Sequence, residues 1–329
     1  MAHTDEGFKA LPAYGARASV MQILGDEPIT AATRSDIVLR SHGPLEVPIH
    51  FRRDGIAIFE FDQVAEFAGG SVDPFVVDDT GNTPKAAELQ MRAREALQEK
   101  RFRYMNACLT CFHVAANVSN KITAPSSRSS YIWARFEHGS WALMDNGAGL
   151  IKPLPFALNV HVDKLQECAT AFKRIEGDDF DDSLNTLDLL YRASFNLNHH
   201  EYQTVLVIGW AVIEACQELL WKRMVAGGYK RFNPSSEITG KRKKLLLTDR
   251  NFTASIKGQI LALVGEYQDS ELELIDRVRK KRNDFMHSLD SVTEHDAFEA
   301  MWACGIVASK SLGLKVTPFG NPSGWDYKR

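Results

Sequence analysis

Cysteine is scarce in this sequence of 329 residues, which contains only five, an odd number. The spacing of the five cysteines does not match a disulfide framework, and an odd count leaves at least one thiol unpaired. The sequence therefore predicts reduced thiols in a reducing compartment rather than a small disulfide-bonded secreted domain.

Long apolar runs are also lacking. The longest, residues 205–215, is well short of the ~18 residues that a membrane-spanning helix requires. The first residues, Met1 to Glu6, contain neither a basic segment nor an apolar one, so they predict no secretory signal. We expect a cytoplasmic protein with no membrane partner.

The sequence lacks the motifs of several classes of enzyme and cofactor-binding protein. There is no G-x-x-x-x-G-K-[ST] phosphate loop, no G-x-G-x-x-G dinucleotide motif and no G-x-S-x-G nucleophile elbow. Cys108, Cys111 and His113 resemble a metal or haem motif only superficially, because haem attachment needs histidine directly after the second cysteine and zinc needs a fourth ligand. We predict helical core at these positions, and neither a metal nor another cofactor.

Positive charge is concentrated in one part of the chain, although the net charge is only −3. Nine lysines and arginines lie between Trp221 and Arg250, against Glu237 and Asp249, which leaves a local net charge of +7. The densest run is Lys241, Arg242, Lys243 and Lys244. This run predicts a phosphate-binding surface, although a solvated loop and helix face has the same composition.

Residues 1–180 are predicted to form a mixed α+β domain. Two β-hairpins are indicated, one around Asp54-Gly55 and one around the loop Glu137-His138-Gly139. Between them, Thr83-Pro84 marks a helix start, and the stretch that follows to about Asn120 has no glycine or proline, so we predict one long helix or two. The acidic stretch from Glu176 to Asp182 then predicts a solvated linker at a domain boundary.

Residues 181–314 are predicted to be an all-α domain, followed by an extended tail over residues 315–329. The predicted helices cover residues 184–197, 201–226, 253–267, 270–286 and 294–314. Capping boxes are predicted at Ser270 with Glu273 and at Thr293 with Asp296. His199 and His200 lie at a helix start, where exposure or capping is more ordinary than metal binding. The apolar stretch from Val205 to Leu220 predicts the most buried helix.

The last turns of the predicted helix 270–286 combine residue types that suit RNA cleavage. Attack of a ribose 2′-hydroxyl on the adjacent phosphate needs a group that transfers protons near neutral pH, and His287 is the candidate. Arg282 is the candidate to bind the negative charge of the transition state through paired N–H donors, and Asn283 can orient phosphate or imidazole. Because positions 282 and 287 are ~140° apart on a regular helix, we expect the helix to end near Met286.

The segment Arg282-Asn-Asp-Phe-Met-His287 resembles the R-x4-6-H motif of HEPN domains, including the polar residue that follows the arginine. Upstream, the stretch Val212 to Leu220 looks like the long helix of that family, and Glu214 matches its acidic position. The resemblance covers roughly residues 183–314 and suggests the Apea-like branch. It implies an all-α bundle, a homodimer or higher homo-oligomer with a composite site, and metal-independent RNase activity in defence, toxin-type or RNA-processing systems.

From the resemblance we expect an endoribonuclease. His287 and Arg282 would be its catalytic residues, Asn283 an orienting residue and Glu214 an auxiliary group. Lys241, Arg242, Lys243, Lys244 and Arg279 are the expected RNA-binding residues. Residues 1–180 are expected to sense a signal, to restrain the helical domain or to position the substrate, and a regulatory protein is a further expected partner. Two alternatives stay open: a non-catalytic HEPN-like module that dimerises or binds a ligand or RNA, and a nucleic-acid-binding regulator that uses the basic run.

Overall fold

The computed structural model of the chain divides it into two compact units. One consists of residues 1–112 and 121–176, and the other of residues 113–120 and 177–329. The division at Glu176 falls in the acidic stretch. The residues that the structure describes are 11–17, 21–24, 37–52, 56–67, 84–116, 131–135, 141–145, 158–175, 179–227, 230, 238–249 and 251–313. The predicted tail, residues 315–329, lies outside them.

The first unit contains the β-structure of the described chain. Its strands are β1 (Leu11–Arg17), β2 (Met21–Leu24), β3 (Ile37–His42), β4 (Pro48–Arg52), β5 (Ile56–Phe59), β6 (Tyr131–Arg135), β7 (Trp141–Asp145) and β8 (Leu158–His161). Six strands form a sheet in the order β3-β4-β5-β1-β6-β7 with antiparallel neighbours, and β2 pairs with β8 in parallel. Both predicted hairpins are confirmed, as β4 with β5 and β6 with β7, although their turns lie outside the described residues.

Two helices belong to this part of the chain, α1 (Pro84–Ala116) and α2 (Val162–Lys173). The long predicted helix is therefore a single helix. Tyr104 on α1 is fully buried, and its ring makes edge-on contacts at 5.2 to 5.4 Å with Phe61 and Phe67 and at 4.9 Å with Phe172. Its hydroxyl donates to the carbonyl of Pro44 at 2.8 Å. Burial of these large rings is the main apolar stabilisation of the unit.

The second unit is helical in its described residues. Its helices are α3 (Phe180–Asn198), α4 (Tyr202–Ala226), α5 (Gly240–Thr248), α6 (Ala254–Leu263), α7 (Asp269–Ser288) and α8 (Glu294–Leu312). The coarse prediction of an α+β first part followed by a helical bundle is confirmed. The five predicted helices correspond to α3, α4, α6, α7 and α8. Sequence reasoning missed α5, because this helix of nine residues buries none of them and so has no apolar periodicity.

Helix α4 is the central helix of the unit, as its apolar sequence predicted. It packs closely on α8 at Gly209, where an added Cβ would lie 3.3 Å from the Cβ of Ala300. The Cys304 thiol donates to the Gly209 carbonyl at 3.2 Å. Within the described residues, α4 alone is long and apolar enough to cross a membrane by length and composition, but most of it is buried, as in the core helix of a soluble protein.

Contacts between the helices fix their directions. Gly209 and Arg223 of α4 contact Ala300 and Ser311 of α8, respectively, so α4 and α8 are parallel. Helix α7 is antiparallel to α8, because its first residues pair with the end of α8 and its last ones with the start. The pairs are Glu271 with Lys310, Arg277 with Glu299 and Lys281 with Asp296. The α3–α4 turn, the end of α7 and the start of α8 therefore share one end of the unit, which we call the loop end (residues 199–202 and 282–295).

The ends of α7 differ from the prediction. The helix begins at Asp269, and the N–H of Gln268 donates to the Glu271 carboxylate at 2.8 Å, so the capping box predicted at Ser270 is wrong. The helix also continues to Ser288, two residues beyond the predicted end. It stops where Leu289 adopts a left-handed backbone with φ 56°.

The start of α8 agrees with the prediction. The Thr293 hydroxyl oxygen accepts a hydrogen bond from the N–H of Asp296 at 3.3 Å, and the carboxylate of Asp296 accepts one from the N–H of Thr293 at 2.7 Å. The predicted capping box at these two residues is confirmed.

Candidate functional site

The core-facing side of α7 continues beyond the core of the helical unit. Ile275 and Val278 are buried, and Arg282 and Phe285 follow on the same side of the helix at spacings of four and three. Phe285 is only half-buried, and Leu289 is 81% exposed. The last turns of α7 therefore carry an apolar side that the described residues cover incompletely. The sequence analysis did not identify Leu289, although it is an apolar residue that follows Phe285 by four positions.

Arg282 occupies one of these core-facing positions. Its Nη1 donates to Oδ1 of Asn283 at 3.1 Å, whereas its Nε is buried and has no hydrogen-bond partner among the described residues. A buried donor without an acceptor costs about 1–3 kcal/mol. An acceptor from outside the chain, such as a phosphate or carboxylate oxygen, would remove that cost.

Most other cations of α7 are neutralised by carboxylates. The pairs are Arg277 with Glu299 at 3.0 Å, Lys281 with Asp296 at 3.4 Å and Arg279 with Asp276 at 3.2 Å. Arg279, an expected RNA-binding residue, is thus held by a carboxylate one turn away. No carboxylate of the described chain is paired with Arg282, so this arginine keeps its charge available for an anion.

His287 lies in the last turn of α7 and is exposed. Because α7 is helical through both positions, the side chains of Arg282 and His287 leave the helix ~140° apart. Arg282 faces the bundle, and His287 faces away from it. The expected helix end between them is wrong, and one chain by itself does not bring the two groups together.

Asn283 is the residue that the structure does bring to Arg282. Its amide oxygen accepts the hydrogen bond from Nη1, and the side chain is half-buried. Sequence reasoning assigned Asn283 to a phosphate or an imidazole. Its described contact is instead with the guanidinium, whose plane it helps to orient.

Glu214 on α4 is exposed. An added Cβ at Gly258 would lie 3.0 Å from Nε2 of Gln217 and 3.5 Å from Cδ1 of Leu272, so these two side chains are level along the bundle. Since α4 and α7 are antiparallel, Arg282 lies almost three helical turns from that level toward the loop end, whereas Glu214 lies only about one turn from it. Within one chain Glu214 and Arg282 are therefore separated along the bundle.

The basic run lies in the first turns of α5. Lys241, Arg242, Lys243 and Lys244 are all exposed, and none of them is paired with a carboxylate of the described chain. Four cations at a helix N-terminus oppose the helix dipole, at a typical cost of 0.3 to 1 kcal/mol each, estimated as roughly additive. This arrangement favours an anionic ligand over a purely structural role.

Trp221 attaches α5 to the bundle, a role that sequence reasoning missed. Its indole N–H donates to the carbonyl of Leu246 at 2.9 Å, and its ring packs on Phe252 with centroids 5.3 Å apart. The side chain is buried. No local sequence signal indicates this anchor, because Trp221 precedes Lys241 by 20 residues.

Lys222 and Arg223, two other cations between Trp221 and Arg250, lie near carboxylates and are therefore less available to an anionic ligand. The Lys222 ammonium lies 2.6 Å from the carboxylate of Asp182, and this hydrogen bond raises the pKa of Lys222. Arg223 lies 4.0 Å from Asp179. The acidic start of α3 thus neutralises the end of α4, and the available positive charge is that of α5.

The start of α8 holds a negative charge near the end of α7. Burial raises the pKa of Asp296, but hydrogen bonds from the N–H and hydroxyl of Thr293, together with Lys281, lower it by more, so the net direction is down. Asp296 is therefore ionised at neutral pH and holds Lys281 away from an anion bound at Arg282.

Thiol chemistry has no support in the helical unit. Cys216 and Cys304 are fully buried, and burial raises the pKa of Cys216 to about 12 and that of Cys304 well above its ordinary value. Neither thiol is a nucleophile at neutral pH. Within the part of the chain that the structure describes, no three His, Cys, Asp or Glu side chains are placed to hold a metal ion.

In comparisons with known proteins, the chain matches no family model, no curated protein and no solved structure. The resemblance to HEPN domains therefore depends on the motif at residues 282–287 and on its helical context.

Proposed function

We propose that the chain is a homodimeric, metal-independent endoribonuclease of the HEPN type. The observation that carries the proposal concerns Arg282, the motif arginine. Its Nε is buried and has no partner in the part of the chain that the structure describes, while the neighbouring cations Arg277, Arg279 and Lys281 are paired. A guanidinium left unsatisfied next to paired cations is suited to bind a ligand anion.

The proposed reaction is transesterification. The ribose 2′-oxygen attacks the adjacent phosphorus, the bond from phosphorus to the 5′-oxygen breaks, and the products are a 2′,3′-cyclic phosphate and a 5′-hydroxyl. Arg282 binds the non-bridging oxygens, whose negative charge grows in the transition state. His287 transfers a proton, since an imidazole has a pKa suited to neutral pH. Asn283 orients the guanidinium, and Glu214 remains an auxiliary residue of the proposed site.

A second copy of the chain is part of this proposal. Because Arg282 and His287 lie on opposite sides of α7, a site that contains both requires the histidine of one subunit to reach the arginine of another. The apolar surface at the loop end supports such a contact, since Met286 is 50% exposed and Leu289 81% exposed.

RNA is the proposed substrate, with Lys241, Arg242, Lys243 and Lys244 of α5 as its main phosphate contacts and Arg279 as a weaker one. The first unit would then sense, restrain or position the substrate or a regulatory partner. The cellular setting that we propose is cytoplasmic, in defence, toxin-type or RNA-processing systems, as the resemblance implies.

A non-catalytic HEPN-like module that dimerises or binds RNA is the second candidate. The observation that favours it is the exposure of His287 on the side of α7 opposite to Arg282. In that case Arg282 only binds an anion, and His287 has no chemical role.

RNA cleavage in EDTA tests the two candidates, with wild type, His287→Ala and Arg282→Ala compared on the same substrate. Products that end in a cyclic phosphate, and are lost in both variants, support the enzyme. Intact RNA with retained binding supports the module. If charge reversal in α5 abolishes binding while Arg282→Ala has no effect, the chain is a nucleic-acid-binding regulator.

A further inference from the structure

All four histidines between residues 177 and 329 lie at the loop end of the helical unit. His199 and His200 form the turn between α3 and α4, His287 is in the last turn of α7, and His295 is in the first turn of α8. The parallel contact of α4 with α8 and the antiparallel pairing of α7 with α8 bring these positions together. The four residues are distant in sequence, so only the packing of the helices places them at one end.

His200 differs from the other three in its conformation. Its backbone is left-handed, with φ 60°, which is unfavourable for a residue with a Cβ and would favour glycine or asparagine. The Nδ1 atom contacts the hydroxyl of Tyr202 at 2.9 Å, and the two rings are edge-on with centroids 5.9 Å apart. The imidazole is thus exposed but oriented, and Nε2 has no partner among the described residues.

His199 and His295 are less suited to proton transfer than His200. Nδ1 of His199 contacts the carbonyl of Phe195 at 2.8 Å, and its ring lies against the Phe195 ring with centroids 4.1 Å apart. His295 lies 3.9 Å from Glu299, which is also paired with Arg277. His199 is also exposed and oriented, but the Phe195 ring covers its imidazole, whereas the described ring contact of His200 is the more distant, edge-on one with Tyr202.

The loop end carries acidic, basic and histidine side chains. On the α3–α4 turn they are His199 and Glu201, and the first turn of α4 has no acidic residue. From the end of α7 to the start of α8, the charged groups are Arg282, Asp284, His287, Asp290, Glu294 and His295. The loop end thus carries imidazoles from two separate connections, the α3–α4 turn and the α7–α8 connection.

We infer that His200 is a second proton-transfer group of the ribonuclease site, an inference that rests on the proposed function. Transesterification needs two such groups, one that accepts the proton of the attacking 2′-hydroxyl and one that donates a proton to the departing 5′-oxygen. The motif supplies one imidazole, His287, and the α3–α4 turn supplies the other. One imidazole gains a proton and the other loses one, so the step is balanced without water or a metal ion.

The test compares His200→Gln with the matched control His199→Gln in the full-length protein. Single-turnover cleavage is measured across pH 5 to 9 on an RNA oligonucleotide, and binding is measured on its uncleavable 2′-O-methyl analogue. His200→Gln is expected to lower the cleavage rate by about 100-fold or more and to remove one limb of the bell-shaped pH profile. Binding of the analogue should stay within about threefold, and His199→Gln should retain both limbs.

A third variant, His200→Gly, separates a chemical role from a structural one. Glycine accepts the left-handed backbone, so the thermal midpoint should be unchanged or higher while cleavage is lost. If wild type cleaves RNA and His200→Gln cleaves as fast with both limbs present, the inference is overturned and the proposed function stands. If wild type leaves RNA intact, the proposed function fails and the inference fails with it.

Discussion

Arg282 donates from Nη1 to Oδ1 of Asn283, its neighbour in the chain, at 3.1 Å, while Nε of the same guanidinium is buried and no described residue is its partner. The arginine is thus oriented by the residue next to it and not by a carboxylate of the core. A buried N–H donor without an acceptor lowers the stability of the fold. Such a loss of stability is characteristic of residues that bind a ligand.

Replacing Arg282 by methionine should abolish RNA cleavage without loss of stability. Methionine fills a similar volume and removes the buried unpaired donor, so the free energy of unfolding should be unchanged or higher by up to ~3 kcal/mol. Chemical denaturation and a cleavage assay measure the two effects. Arg277→Met is the control, since loss of its exposed pair with Glu299 should change stability by less than ~1 kcal/mol and spare activity. A large destabilisation by Arg282→Met would instead identify a structural arginine.

Neutralising the basic run of α5 should weaken RNA binding and its dependence on salt. Glutamine at Lys241, Arg242, Lys243 and Lys244 removes up to four phosphate contacts, so the slope of log K against log salt should fall by up to ~3 for single-stranded RNA. Fluorescence anisotropy at several salt concentrations measures it. The double variant Lys222→Gln and Arg223→Gln is the control, because these side chains pair with Asp182 and Asp179. An unchanged slope would exclude α5 from the interface.

The capping box of α8 should make stability depend on pH. The pKa of Asp296 is lowered in the folded chain, so its carboxylate stabilises the fold above the unfolded value of about 3.9, and this contribution is lost as pH falls through the folded value. Asp296→Asn should therefore lower the free energy of unfolding by about 1 kcal/mol at pH 7, and the difference should shrink below about pH 4. Asp290→Asn, at an exposed position, should show no such dependence.

All five cysteines should resist thiol reagents in the folded protein. Each is free and buried, and burial raises the pKa of Cys111, Cys168, Cys216 and Cys304. Titration with a chromogenic disulfide reagent should therefore be slow in buffer and complete, with five thiols, in denaturant. Rapid reaction of one thiol under native conditions would show that part of the core opens readily.

Local patterns predicted much of the secondary structure. Both hairpins, the long α1 and the capping box at Thr293 depend on neighbouring residues, which a linear sequence displays directly. The start of α7 was misplaced because Ser270 and Glu273 have the spacing of a capping box, but Gln268 and Glu271 make the bonds. Both pairs have the spacing of a capping box, and in the folded chain the helix begins at the earlier one.

The sequence by itself determined which residue types are available for the proposed chemistry: the guanidinium of Arg282, the imidazole of His287 and the cations of α5. Only the tertiary structure decided how they are placed. A regular α7 turns Arg282 and His287 to opposite sides, carboxylates from α8 pair with Arg277 and Lys281, and the directions of three helices bring His200 to the end where Arg282 lies. These relations join residues far apart in the chain, so no local pattern could encode them.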